Sequence, residues 1–287
     1  MSRLGDLAEL GAIERIVAAT LAEDLGSGDL TARATVPAQT PARATIVAKQ
    51  ALRFCAGAVA ARVFAAVDPD VELDLRVAEG VDVEPGAVLL TLRGDARALL
   101  AGERSALNLL GRACAVATMT ARYVAAAGPD LRVVDTRKTM PGLRALDRYA
   151  VRMGGGHNHR NDLGSGVLIK ENHIRAAGSL TAAVTAARAH APHGVRVECE
   201  VETLAELRQA IAAGADALLL DNMDDATLRE AVAIAGPKGE RRIILEASGN
   251  ITLERLPRLA QIGLDVVSVG ALTHSAVNVD LSQVFEL

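Results

Sequence analysis

Three kinds of chemistry-bearing residue recur in this sequence. Arg137-Lys138, His159-Arg160 and Lys170 form a cationic set. Arg offers a planar fork that matches carboxylate or phosphate, and Lys offers a point charge. Glu200 and Asp221 are hard oxygen donors. Beside phosphate they suit Mg²⁺, which takes one or two carboxylates plus substrate oxygens, and they suit ribose hydroxyls equally. Ser248-Gly249-Asn250 and Gly270-Ala271 are small, flexible loop residues of the kind that admits a phosphate to backbone amides.

These groups share a position in the pattern. Apolar runs at 131–134, 167–169, 195–197, 217–220, 243–245 and 266–269 each stop where such a residue or loop begins, or a few residues before it. Amphipathic helical stretches at 203–213, 224–235 and 252–262 separate the later runs. Continuous apolar strands alternating with helices predict a parallel sheet covered by helices. An α/β barrel of fewer than eight strands places all these strand ends on one face, where barrel active sites lie. An open doubly wound sheet is the alternative and lines them along one edge.

Gly154-Gly155-Gly156, before His157-Asn158-His159, reads either as an amide cradle for an anion or as a tight turn. It matches neither a nucleotide-binding P-loop nor a dinucleotide fingerprint. His157 and His159 as metal ligands are disfavoured by basic surroundings and by the absence of common zinc patterns.

The preceding part predicts a small α+β domain. Residues 7–24 have helical spacing, strands fall at 43–49, 71–77 and 87–93, and a helix lies near 57–66. A long Ala/Leu-rich helix follows from about Asp95 to Ala127. The turn between Gly80 and Gly86 slightly resembles a biotinyl or lipoyl carrier hairpin, but no Lys sits at its tip.

Composition narrows the partners. The 287 residues carry a net charge of −4, no Trp, three Phe and two Tyr. That excludes a stacking platform for single strands and any general pull toward polyanions. Yet residues 104–175 hold twelve Lys or Arg against five Asp or Glu, which favours a small anionic ligand. Arg outnumbers Lys 27 to four, so two lysines inside the cationic set are informative. Cys55, Cys114 and Cys199 read as buried reduced thiols. Acidic Asp6, Glu9 and Glu14 argue against a signal peptide. No apolar run reaches the roughly 20 residues of a membrane span.

Longer motifs bring a resemblance. Glu103 to Asn108, Asp135-Thr136-Arg137-Lys138 through Arg144, Gly154 to Arg160, Leu168-Ile169-Lys170-Glu171-Asn172-His173, Leu245 to Ile251 and Ser268 to His274 resemble quinolinate phosphoribosyltransferases. Glu23 to Thr31 fits as well, and the match covers nearly the whole chain. The resemblance implies an amino-terminal α/β sandwich domain over 1–110, to which 276–287 returns. It implies an incomplete, roughly seven-stranded α/β barrel over 111–275. The implied activity is that of a pentosyl-transferring glycosyltransferase in NAD biosynthesis. Quinolinate and phosphoribosyl pyrophosphate become nicotinate mononucleotide, pyrophosphate and carbon dioxide.

By the same resemblance Arg137, Lys138, His159, Arg160 and Lys170 hold quinolinate, and Arg104 reaches in from a partner subunit. Glu200 and Asp221 serve the ribose and Mg²⁺ end, and Lys138 and Lys170 join them as catalytic groups. Ser248, Gly249, Asn250, Gly270 and Ala271 hold the 5′-phosphate. A homodimer, or a hexamer built as a trimer of dimers, and a cytoplasmic setting are implied too. Residues 161–166 depart from the pattern, with Ser165 where relatives usually carry Asp. A relative associated with molybdenum transport and a silent metabolite-binding barrel are the alternatives. The intact Leu168–Ile174 segment and the Arg137-Lys138 pair argue against the first, and the complete set of site groups against the second.

Overall fold

The computed structural model describes residues 7–286, so the reading of Asp6 lies outside the described residues. The chain divides into two compact units. The first takes the chain through Ala121, then Thr139–Gly155, then the chain from Ala271; the second takes Arg122–Lys138 and Gly156–Gly270. Residues 111–121, 139–155 and 271–275, expected with the barrel, thus group with the first unit.

The first unit contains helices α1 (Leu7–Leu25), α2 (Leu30–Thr35) and α3 (Gly57–Val67) and strands β1 (Pro41–Ala48), β2 (Leu52–Arg53), β3 (Glu72–Leu75), β4 (Asp82–Val83) and β5 (Val88–Asp95). Alternation in β1 buries Ala44, Ile46 and Ala48 on one face. β1 pairs antiparallel with β5 on one side and with β12 (Leu281–Glu286) on the other, giving the order β12-β1-β5-β3. The end of the chain therefore supplies an edge strand here, although its short sequence carries no strong strand signal. β2 and β4 form a separate two-stranded pair.

Helix α4 (Ala96–Ala127) runs 32 residues from this unit into the next. It approaches α3 closely, because a Cβ on Gly102 would stand 2.7 Å from the Phe64 ring. A second close approach settles the glycine triplet. A Cβ on Gly154 would lie 2.5 Å from Thr120 Cβ and 2.7 Å from the Ala117 carbonyl, and Gly155 has φ 86°. Gly154 and Gly155 are therefore a packing contact and a turn after α5 (Arg144–Met153), not an amide cradle for an anion. Cys55 and Cys114 are buried and unoxidised, and burial pushes the Cys114 thiol up to about 12.

The deepest polar contact of this unit joins α4 to α5. Arg112 Nε and Nη2 donate to the two carboxylate oxygens of Asp147 at 2.8 and 2.9 Å. Asp147 is fully buried, and the same guanidinium donates to the carbonyls of Thr273 and Ala276.

The second unit holds β6 (Arg132–Val134), β7 (Val167–Ile169), β8 (Val197–Val201), β9 (Ala217–Asp221), β10 (Ile244–Ser248) and β11 (Val266–Ser268). All pairings are parallel, in the order β6-β11-β10-β9-β8-β7. The last strand pairs with the first, as closure into a barrel requires and an open doubly wound sheet does not. His157 adds a one-residue parallel bridge beside Val134, a stub in the place of a seventh strand. Helices α6 (Glu171–Ala177), α7 (Leu180–His190), α8 (Leu204–Ala213), α9 (Asp225–Ala235) and α10 (Leu256–Ala260) follow their strands; α11 (Ala271–His274) returns to the first unit. Helix α10 is shorter than the expected 252–262, with Pro257 in its first turn.

One strand differs from expectation. The apolar run at 195–197 predicts its position, but β8 spans Val197–Val201 and alternates. Val197, Cys199 and Val201 are buried, and α7 and α8 pack against this strand. Glu198 and Glu200 take the opposite, inner face, so the strand lacks a continuous apolar signal.

Removing one partner of a buried ion pair leaves a charge without compensation, at roughly 3–5 kcal/mol. Asp147→Ala should therefore lower stability by about that amount in urea unfolding. The joint replacement Arg112→Met with Asp147→Leu should recover most of it. An Asp147→Ala chain as stable as the wild type would remove the pair from any structural role.

Candidate active site

Strand alternation builds the site. Residues two apart on one strand face the same side. Leu168 and Lys170, Leu219 and Asp221, and Glu246 and Ser248 thus come in pairs on the inner face, joined by Glu200 and Ser268. All of these line one cavity of about 410 Å³ at the carboxyl ends of the strands, with Thr136, Arg137, Lys138, His159, Arg160, Asn222 and Gly249.

Asp135, at the end of β6, is fully buried. His159 N–H donates to its Oδ1 at 2.7 Å and Asn158 Nδ2 to its Oδ2 at 2.6 Å. Its own amide donates to the His157 carbonyl. Asp135 therefore pins the segment carrying His159-Arg160 beside the one carrying Arg137-Lys138. Burial, and then the Arg137 charge, push the Arg160 guanidinium below its usual value. Two like-charged forks held this way favour an anion between them. Arg160 Nη1 is braced on the Gly166 carbonyl at 3.1 Å. The unusual loop before it holds itself: Ser165 Oγ and Gly164 N donate to Asp162, so Ser165 has a local use in place of the usual Asp.

Lys170 follows β7. Its amide donates to His173 Nδ1 at 3.0 Å, tying the strand end to the first turn of α6. Its ammonium is ion-paired with Glu200. Burial, and next the Glu200 charge, raise the Asp221 carboxyl above its ordinary value. Such a mutually repelling pair accepts a divalent cation readily.

Glu198 and Glu246 are site residues that sequence reasoning missed. They lie inside β8 and β10 rather than at strand ends, and Glu246 comes directly after the run at 243–245, in a strand that continues to Ser248. Their carboxylates flank His159, 3.3 and 3.4 Å from Nε2. Among the described residues these three form the one cluster of potential metal ligands, whereas Glu200 and Asp221 belong to no such cluster of three. A proton at Nε2 already fills the place of an ion. Hydrogen bonds donated to the Glu198 and Glu246 carboxylates raise the His159 imidazole to about 10. The Arg160 amide lies 2.8 Å from Nδ1, which suits a neutral ring. Two charge-assisted contacts at Nε2 pull against that single neutral one and favour the protonated ring. Glu246 Oε1 and Ser268 Oγ are buried without a protein partner, which leaves polar room on the floor for water or ligand.

Of the other residues expected from sequence, Asn250 is not in the lining but bonds to Asn222, which is. Gly270 ends the second unit, while Arg104 and Ala271 belong to the first, Arg104 exposed on α4.

Because the folded-state value of His159 lies above the unfolded 6.5, its contribution to stability is complete below about pH 6.5 and is lost as pH rises through about 10. An NMR titration should place the His159 midpoint near 10 in the wild type and lower in Glu246→Gln. A midpoint near 6.5 in both chains would contradict this account.

Comparison with known proteins gives the family. Residues 29–114 match the family described as quinolinate phosphoribosyl transferase, N-terminal domain, and residues 116–284 match its C-terminal domain. The chain is 43% identical over 261 residues to the probable nicotinate-nucleotide pyrophosphorylase [carboxylating] of Bacillus subtilis, covering 91% of this chain and 89% of that one. It is 39% identical over 280 residues to the nicotinate-nucleotide pyrophosphorylase [carboxylating] of Mycobacterium leprae, covering 95% and 97%. The crystal structure of NadC from Streptococcus pyogenes superimposes with a TM-score of 0.90 at 39% identity, covering 98% of this chain and 99% of that one. With both domains matched in order and these identities held over nine-tenths of its length, the chain belongs to the quinolinate phosphoribosyltransferase family.

Proposed function

We propose that this chain joins quinolinate to phosphoribosyl pyrophosphate and releases nicotinate mononucleotide, pyrophosphate and carbon dioxide, a step of de novo NAD synthesis. The observation that carries this reading is the Arg137–Arg160 pair, held together on the wall of a cavity that Lys138 and Lys170 also line. Two forks and two ammonium groups suit a small ring with adjacent carboxylates.

The residues support the chemistry as follows. The cationic wall orients the ring so that its nitrogen faces the ribose carbon C1. The nitrogen's lone pair forms the new C–N bond while the C–O bond to pyrophosphate breaks, and that electron pair leaves with pyrophosphate. Positive charge developing on the ribose is stabilised by the Glu200 and Asp221 carboxylates. The ring is now a pyridinium and acts as an electron sink. The bond to the adjacent carboxylate breaks, carbon dioxide departs, and the ring carbon takes a proton from water or from the Lys138 or Lys170 ammonium. Positioning and electrostatics dominate, with no obligatory acid–base pair.

Glu200 and Asp221 fit Mg²⁺ held jointly with donor oxygens, and the ion would neutralise the departing pyrophosphate. In the same proposal the active form is at least a dimer, with Arg104 completing a partner's site, and the setting is cytoplasmic.

The acids change the expected basis of specificity. Lys170 is already paired with Glu200, and Glu198 offsets Arg160, so the wall is not bare positive charge. Discrimination against a monocarboxylate then falls chiefly to the two arginines.

Quinolinate should yield labelled carbon dioxide and pyrophosphate together, and nicotinate should yield neither. Arg137→Ala should weaken quinolinate binding roughly tenfold or more. EDTA should abolish turnover. Comparable turnover of nicotinate, or pyrophosphate release without carbon dioxide, would overturn the assignment. For the shared site, inactive Arg104→Ala and inactive Lys138→Ala chains, once mixed, should regain activity through hybrid dimers. No recovery after proven subunit exchange would count against it.

A further inference from the structure

Asn222 follows Asp221 at the end of β9 and lies on the cavity wall. Its backbone is left-handed, with φ 54°. Asn tolerates that region better than most residues, yet it is uncommon outside glycine. Neighbouring Gly249 and Asn250, just past β10, are left-handed as well, with φ 80° and 51°. Backbone held in this way concentrates where surrounding contacts over-determine it, often at ligand clamps.

The contacts here converge on one carboxamide. Asn222 Nδ2 donates to Asp221 Oδ2 at 2.8 Å. Asn222 Oδ1 accepts from Asn250 Nδ2 at 3.2 Å. The Asn222 amide donates to the Ser248 carbonyl at 3.0 Å. The side chain lies against Gly249 so closely that a Cβ there would stand 2.1 Å from Asn222 Oδ1 and 2.6 Å from its Cγ. The glycine therefore serves the asparagine as well as its own turn.

A donor of phosphoribosyl groups presents a 5′-phosphate and a ribose at a fixed separation. The glycine-containing loop after β10 offers amides to the first, and Asp221 offers a carboxylate to the second. We propose that Asn222 is a positioning residue for the phosphoribosyl donor, its carboxamide latching the Ser248–Asn250 loop to Asp221 so that phosphate and ribose are received at a set spacing. The inference rests on the donor assignment above. The Nδ2 bond orients one oxygen of Asp221 and leaves the other for ligand. The Oδ1 bond holds Asn250, and with it the loop, in the conformation that presents its amides.

The test is calorimetric titration of wild type, Asn222→Ala and Asn222→Asp with phosphoribosyl pyrophosphate and Mg²⁺, ribose 5-phosphate, inorganic phosphate and quinolinate in turn. Asn222→Asp keeps the volume but cannot donate to Asp221, so it carries the test if the alanine variant folds poorly. Phosphoribosyl pyrophosphate and ribose 5-phosphate, which span both ends, should each bind about tenfold or more weakly in both variants. Inorganic phosphate, which meets only the Oδ1 half of the latch, should lose less than either in Asn222→Ala. Quinolinate affinity should stay within about twofold, because its proposed cations lie outside the latch. Gly249→Ala should also cost donor affinity, and cost less when added to Asn222→Ala, since the collision with the carboxamide is then removed. Unchanged donor affinity, equal losses for quinolinate and donor, or additive effects at 222 and 249 would each overturn the latch. A wild-type chain that binds no phosphoribosyl donor would overturn the donor assignment and the latch together.

Discussion

The site depends on one buried carboxylate. Asp135 receives the His159 amide and the Asn158 side chain while its own amide binds the His157 carbonyl. Without that clamp the two cationic segments, 137–138 and 159–160, would be tied only by the one-residue bridge between Val134 and His157. With it, two arginines that repel each other are fixed on one wall. Folding thus holds like charges on one wall, the arrangement on which the proposed dianion site rests.

Charge balance is the second constraint. Arg137, Lys138, Arg160 and Lys170 are matched within the same barrel by Glu198, Glu200, Asp221 and Glu246, with His159 bridging two of these acids. A barrel interior that carried only the cations would be costly to close. The acids make the empty pocket tolerable, and their arrangement separates two regions. Arg137 and Lys138 lie past β6 with Arg160 pinned beside them, and Glu200 and Asp221 lie on β8 and β9.

What could be read from the sequence follows from these constraints. Polar residues just past apolar runs were legible because parallel strands bury both faces and expose only their ends. Arg137, Lys138, Lys170, Glu200, Asp221 and Ser248 all line the cavity for that reason. Glu198 and Glu246 come directly after the runs at 195–197 and 243–245 and were passed over, because each looks like the end of a strand that in fact continues to Val201 and Ser248. Asn222 escaped because its role lies in a left-handed backbone and two short contacts, which no pattern of residue types encodes. The glycine triplet left two readings open, and only the approach of Thr120 to Gly154 decided between them. Strand β12 and helix α5 join the first unit by long-range pairing and packing that local periodicity does not reveal.

The alternation of β8 has a consequence for assembly as well as for chemistry. A slip of one residue against β7 and β9 would turn Glu198 and Glu200 toward α7 and α8 and bring Cys199 to the cavity. Two carboxylates would then sit in a dry interhelical layer without partners, a misfolded state too unfavourable to persist. A strand of pure valine and leucine would feel no such difference between registers. The inward-facing carboxylates of this strand therefore also proofread its folding.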